Sequence, residues 1–341
     1  MLDLLLLPTN QVIPFLSYIK TIFHNNCDFL SKNWKNYLDL AVLAGYPKMQ
    51  YREMADDPEL WLSKDVVSKY DSEWWASAFV KTYFQNLTSH SPILSYHDFI
   101  LSRWLWVTDG ATRFSNAKLD DELVRTKFGA ALSLSDEELL QHANLEHESS
   151  FEIGIFLKPD EPGYKRRLIA NVSLGPYLLA AYIRYYLEHT LKSNPSFYKL
   201  DVEIIDREQI IELIKSGRTS VPLDESAYDY HVSKESWDGF SLFLKSIDPH
   251  NQAFALFHKY KNTAHWSFEG KRGLWSSGMP SGLALTSFLN SWMNYIKQAF
   301  ILEGDLQYAA GDDVLTVPRR NGVDLLGVAD AYEDFGSAVN A

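Results

Sequence analysis

The sequence predicts a mixed α/β (α+β) chain, and three observations predict it. Helix-start signals recur through residues 1–150, where Ser or Asp precedes stretches such as Glu59-Leu60-Trp61-Leu62 and Asp136-Glu137-Glu138-Leu139-Leu140 with helical apolar spacing. Strand-like stretches at Phe151–Leu157, Ser220–Asp224 and Ala264–Phe268 alternate with helical ones at Tyr177–Leu191, Asp206–Lys215, Ser233–Leu244 and Leu283–Leu302. Near the C-terminal end, two β-prone arms spanning Leu306–Val317 flank Gly311-Asp312-Asp313, a tip whose residues tolerate turn geometry, so the pair reads as a hairpin.

With 341 residues, 46% of them hydrophobic, the chain can bury a large core in two or three subdomains. Aromatic residues make up 14%, enough to supply both packing and stacking platforms, and packing accounts for most of them. The formal net charge of −12 excludes a protein that coats nucleic acid indiscriminately, yet it leaves room for a narrow basic channel. A single cysteine, Cys27, excludes an internal disulfide and a cysteine-based zinc site, which fits a reducing compartment. The opening Met1-Leu2-Asp3-Leu4-Leu5-Leu6-Leu7-Pro8 is apolar but short, and it carries an acid where a signal peptide carries bases. No apolar run approaches membrane-spanning length, so a soluble, cytosolic protein is expected.

Within the helical first part, Trp106–Arg113 is a polar, small-residue loop that reads as a connector. After the strand at Phe151–Leu157 comes Lys158-Pro159-Asp160-Glu161-Pro162-Gly163-Tyr164-Lys165-Arg166-Arg167, bases around a Pro/Gly loop. It reads either as a solvated basic face or, as the densest positive patch in an acidic chain, as a triphosphate site. The helix at Tyr177–Leu191 is apolar on several faces and is expected to be buried, with His189 structural. The strand entered at Ser220 ends on Asp224, and Asp229 follows as the chain turns toward the next helix. An acid leaving a core strand is costly unless paired or metal-bound, which singles out Asp224. Residues 245–270 are polar and aromatic, and their His250, His258 and His265 lack zinc-ligand spacing. Ser277-Gly278-Met279-Pro280-Ser281-Gly282 is expected to be a flexible loop opening directly into the helix at Leu283. That helix carries Thr286, Asn290 and Asn294 on one face, either toward a polar partner or as helix-packing hydrogen bonders. Past the hairpin, Asp324–Phe335 is helical and Gly336–Ala341 begins a strand. The adjacent carboxylates of the hairpin tip suit hard divalent cations, which want oxygen ligands.

Taken in order, these stretches resemble the palm and fingers of viral RNA-dependent RNA polymerases, nearest the picornavirus-like group that includes partitivirus and picobirnavirus enzymes. Lys165-Arg166-Arg167-Leu168-Ile169 is similar to motif F, and Asp224 with Asp229 to the D-x4-D of motif A. Ser277–Gly282 followed by Thr286, Ser287 and Asn290 is similar to motif B, and Tyr308–Asp313 to motif C; Thr108-Asp109-Gly110 is a weaker counterpart of motif G. The resemblance covers about residues 100–341.

The resemblance implies a right-hand polymerase fold, a small antiparallel palm sheet flanked by helices with mainly helical fingers: the N-terminal region and fingers in residues 1–218, palm with motif A in 219–235, a fingers insertion in 236–270, and palm with motifs B and C in 271–341. It implies Mg²⁺ (or Mn²⁺) held by Asp224, Asp312 and the backbone carbonyl of Glu225, with Asp313 assisting. Lys158, Lys165 and Arg167 would grip the triphosphate, while Asp229, Thr286 and Asn290 would surround the ribose. Ser281 and Gly282 would let the loop flex against the templating nucleotide. Expected partners are an RNA template and product strand, ribonucleoside triphosphates, and viral capsid or replication proteins. The expected location is host cytoplasm or the interior of a double-stranded RNA virion. The chain stops where motif D would present a lysine, with no motif E or thumb, so a fragment of a longer polymerase is expected, its activity in isolation in question. Two other readings are a non-catalytic palm-like RNA-binding or assembly module and a reverse transcriptase. The latter would put a bulky aromatic at position 229; Tyr228 is adjacent, but Asn290 favours ribonucleotides.

Overall fold

The computed structural model describes residues 65–337 apart from 89–91, 109, 113–117, 120–121, 158–167, 193–194, 196, 199–203, 217–220, 226–227, 311–312 and 320–321. The chain divides into two units, Leu62–Ile155 with Ala170–Ala341, and Met1–Trp61 with Phe156–Ile169. Of the second unit, Phe156, Leu157, Leu168 and Ile169 are described, at the ends of two strands. The rest of the description concerns the first.

Its early helices begin where side chains can cap them. Helix α1 (Ser72–Asn86) opens under Asp71, whose carboxylate accepts the Trp74 amide. Ser95 does the same for α2 (Tyr96–Leu101) and Thr126 for α3 (Lys127–Ser133). Helix α4 (Asp136–Ala143) carries a full capping box, Ser135 with Glu138. Each cap satisfies an amide that the helix leaves without a partner. A short ladder of β1 (Lys118–Leu119) and β2 (Glu122–Leu123) precedes α3.

Strands β3 (Glu152–Leu157) and β4 (Leu168–Val172) lead to the long helix α5 (Leu174–Thr190), then α6 (Ile204–Lys215) and β5 (Val221–Asp224). Helices α7 (Lys234–Ile247) and α8 (Gln252–Thr263) precede the hairpin β6 (His265–Phe268) and β7 (Lys271–Leu274). The last elements are α9 (Thr286–Leu302), β8 (Gly304–Ala310), β9 (Asp313–Pro318) and α10 (Leu325–Glu333). One sheet has the order β4-β3-β6-β7, with β3 parallel to β6; the other is fully antiparallel, β5-β9-β8.

Two departures from the sequence reading have physical causes. Helix α8 was not foreseen in the polar stretch 245–270, yet Ala253, Phe254, Phe257 and Tyr260 bury one face at helical spacing. Its polar residues simply occupy the other face. Helix α9 starts at Thr286 rather than Leu283, because the Thr286 hydroxyl donates to Pro280 O and closes a turn first. The final strand expected from Gly336 is not seen at Gly336 or Ser337, and 338–341 lie outside the described residues. The helical stretch expected at 59–62 lies outside them too.

The core is largely aromatic. Trp75 and Phe79 of α1, Phe240 and Phe243 of α7, and Trp292 of α9 are buried, with the Phe79 and Trp292 rings edge-to-face at 5.2 Å. Each such ring contributes about 1.5–3 kcal/mol by burial alone. Helices α1 and α7 approach so closely that a Cβ on Gly239 would come 2.3 Å from Trp75 Cβ. The Trp292 indole N–H donates to Thr82 Oγ1 at 2.6 Å, so α9 is tied into this core. That fixes the helix from which the site is built.

Candidate active site

The antiparallel sheet brings two distant acids into register. In the β5–β9 ladder Leu223 faces Val314 and Asp224 faces Asp313, while in β8–β9 Ala310 faces Asp313. Asp224 is the last residue of β5 and Asp313 the first of β9, so both stand at the same end of the sheet, beside the hairpin tip. Neighbouring strands lie about 4.8 Å apart, and directly paired positions share a face. Val221, Val314, Val317 and Thr316 are buried and hold the ladder from its interior end. Asp312 and Gly311 lie outside the described residues, as do the side chains of Asp224 and Asp313.

A second pairing comes from the turn after β5. Asn290, only 2% exposed, donates from Nδ2 to Asp229 Oδ1 at 2.6 Å. Asp229 itself is half-buried in a 3-10 turn, Tyr228–His231. Its carbonyl accepts the Met279 amide at 2.6 Å, and the Val232 carbonyl accepts that of Gly278 at 2.7 Å. The loop after β7 is therefore laced to the turn that carries Asp229. Gly278, with φ 83, lets its carbonyl accept two indoles, Trp237 at 2.7 Å and Trp275 at 2.9 Å.

Ser281 and Gly282 face a different neighbour. The Ala170 amide of β4 donates to Ser281 Oγ at 3.0 Å, and the Gly282 amide donates to Ala170 O at 2.9 Å. A Cβ on Gly282 would come 2.9 Å from that same oxygen. At this glycine the loop closely approaches a strand, and the loop expected to be flexible is pinned here on both sides. Thr286, half-buried, spends its hydroxyl on Pro280 O at 2.8 Å. Asn294 accepts from the Tyr332 hydroxyl of α10 at 3.2 Å. Of the polar stripe on α9, Thr286 thus bonds Pro280, Asn294 bonds Tyr332 and Asn290 bonds Asp229.

Lys297, and its ion pair with the Glu225 side chain, are what sequence reasoning missed. Both are 3% exposed, and the Lys297 ammonium of α9 donates to Glu225 Oε1 at 3.0 Å and Oε2 at 2.9 Å. It also donates to Ser337 Oγ at 2.6 Å. Burial pulls the Lys297 pKa below the usual lysine value, and Glu225 opposes that pull. One position along, Gln298 Oε1 accepts from the Thr316 hydroxyl of β9. The available signal was a lysine three positions after Asn294, on the polar stripe of an otherwise apolar helix.

Lys158, Lys165 and Arg167 lie outside the described residues, as does Asp109. Beside it, the Thr108 hydroxyl lies 3.4 Å from the Tyr177 hydroxyl, which donates to Trp106 O, and the Lys127 ammonium sits 4.1 Å over the Tyr177 ring. His189 contacts Tyr185 O at 2.8 Å and His258 the Ser241 hydroxyl at 2.9 Å, structural roles as expected. Among the described residues no group of three or more His, Cys, Asp or Glu could hold a metal, and no helix is long and apolar enough to cross a membrane.

A family model described as viral RNA-directed RNA-polymerase matches residues 52–341, beginning well upstream of residue 100, where the sequence resemblance was expected to start. Among solved structures, a Sicinivirus 3Dpol RNA-dependent RNA polymerase is similar in fold, with a TM-score of 0.59 at 17% sequence identity. The likeness covers 86% of this chain and 68% of that one. No curated protein matches the sequence.

Proposed function

The chain belongs to the viral RNA-directed RNA polymerases, and from that premise we propose that it joins ribonucleotides on an RNA template at the hairpin end of the β5-β9-β8 sheet. The observation that carries this is the register of Asp224 against Asp313, which juxtaposes the two acid-bearing strand ends. Family membership also sets aside the reverse-transcriptase reading. The β5-β9-β8 sheet with α9 and α10 serves as palm, and the segments around it serve as fingers.

A carboxylate set on adjacent strands is the donor chemistry that Mg²⁺ or Mn²⁺ prefers, so Asp224, Asp312 and Asp313 would hold the ions with the Glu225 carbonyl. When bound, two such ions would activate the attacking 3′-hydroxyl and neutralise the leaving pyrophosphate. The chain's own residues do the rest. Asn290 orients the Asp229 carboxylate, which would accept from a ribose hydroxyl, the group that separates RNA from DNA precursors. Thr286 holds the turn through which the motif B loop enters α9. Lys158, Lys165 and Arg167 grip the triphosphate electrostatically.

The test is RNA-templated primer extension with Mg²⁺ or Mn²⁺, comparing the chain with its Asp312→Ala, Asp313→Ala variant. Loss of incorporation by at least about 1,000-fold is expected if these acids hold the ions. Incorporation that survives the double change defeats the assignment.

A further inference from the structure

Helix α9 grips the acid-bearing turn at both ends. Asn290 donates to Asp229, and Lys297 clamps Glu225, the residue directly after Asp224. The two grips are seven positions apart, two helical turns, and therefore lie on one face of a single rigid element. Glu225 lies one position past the end of β5, and its side chain ties the chain leaving the sheet to α9. The third donor bond of Lys297, to Ser337, extends the clamp to the segment after α10.

Stability alone does not call for ions here. Replacing a buried ion pair with apolar residues of similar volume is often neutral or stabilising. What apolar packing cannot do is set the angle of one peptide group with directed bonds to both carboxylate oxygens. We propose that Lys297 is a positioning residue for the cation site: through the Glu225 side chain it fixes the backbone at the end of β5, where Asp224 and the Glu225 carbonyl would hold the ions, and keeps them in step with Asp229. This rests on the site reading given above.

The decisive experiment compares the chain with Lys297→Met, with the charge-free pair Glu225→Leu, Lys297→Met, and with Lys297→Arg. Each is measured for its thermal midpoint and for Mn²⁺ affinity, from the paramagnetic resonance signal of free Mn²⁺ during titration. Lys297→Met strands a buried carboxylate and lowers the midpoint. The charge-free pair restores it, yet its Mn²⁺ dissociation constant stays raised by about 10- to 100-fold, the range for losing a group that orients a metal ligand. A restored midpoint with parental Mn²⁺ affinity overturns the inference, because a purely structural pair predicts that result. Should the charge-free pair fail to fold, Lys297→Arg decides: it keeps the charge and shifts the carboxylate, so affinity at least about threefold weaker supports positioning and unchanged affinity overturns it. A parent chain that binds no Mn²⁺ overturns the site reading as well, whereas a variant indistinguishable from a binding parent overturns only the role of Lys297.

Discussion

Replacing Asn290 with leucine separates what the Asn290–Asp229 bond does for folding from what it does for sugar choice. Leucine has nearly the shape of asparagine but neither donor nor acceptor, so the 2.6 Å bond to the Asp229 carboxylate is lost with little change in volume. A hydrogen bond to a charged group contributes about 1.5–3 kcal/mol net. Asp229 is half-exposed, so water takes up part of the loss, while position 290 is only 2% exposed and a leucine there gains burial energy. The two offset, and net stability should move by no more than about 1 kcal/mol. Sugar discrimination should not be spared. If Asp229 loses its fixed orientation, a ribose-specific contact worth about 1.4–3 kcal/mol weakens, a drop of roughly 10- to 150-fold in the ratio of kcat/KM for ribonucleotide over deoxyribonucleotide. Single-nucleotide incorporation with matched ribo- and deoxyribonucleoside triphosphates measures the ratio directly, with a urea unfolding curve as companion. An active variant with an unchanged ratio would remove Asn290, and with it the orienting role assigned to its partner, from the ribose site.

Two predictions concern the scaffold. Gly282→Ala puts a methyl 2.9 Å from Ala170 O and 3.1 Å from Val172 N, both backbone atoms that cannot swing aside. It should cost about 1–3 kcal/mol, read as a lowered denaturation midpoint, and a midpoint equal to the parent's would show that the loop does not press on β4. Ser135→Ala removes the capping box of α4, and a loss of about 0.5–2 kcal/mol is expected in the same assay; no loss would mean the exposed cap is replaced by water at no cost.

Local chemistry was legible in the chain, since caps, turn residues and periodic apolar positions act over a few residues. The caps Ser135 and Ser233 and the hairpin about Gly311-Asp312-Asp313 follow from side chains talking to their own neighbourhood. The acids of the candidate site could be picked out for the same reason, because a carboxylate at the end of an apolar strand is locally anomalous. What the sequence could not contain was register and partner choice. That Asp224 stands against Asp313, that Gly282 meets a strand more than a hundred residues upstream, and that a lysine inside an apolar helix finds Glu225 and Ser337 are long-range pairings. Their energies depend on which surfaces happen to meet, and only the folded chain settles that. The polar stripe on α9 shows the division well: its spacing was readable in advance, but whether each amide served a neighbouring helix or the acid of the adjoining turn was decided by packing.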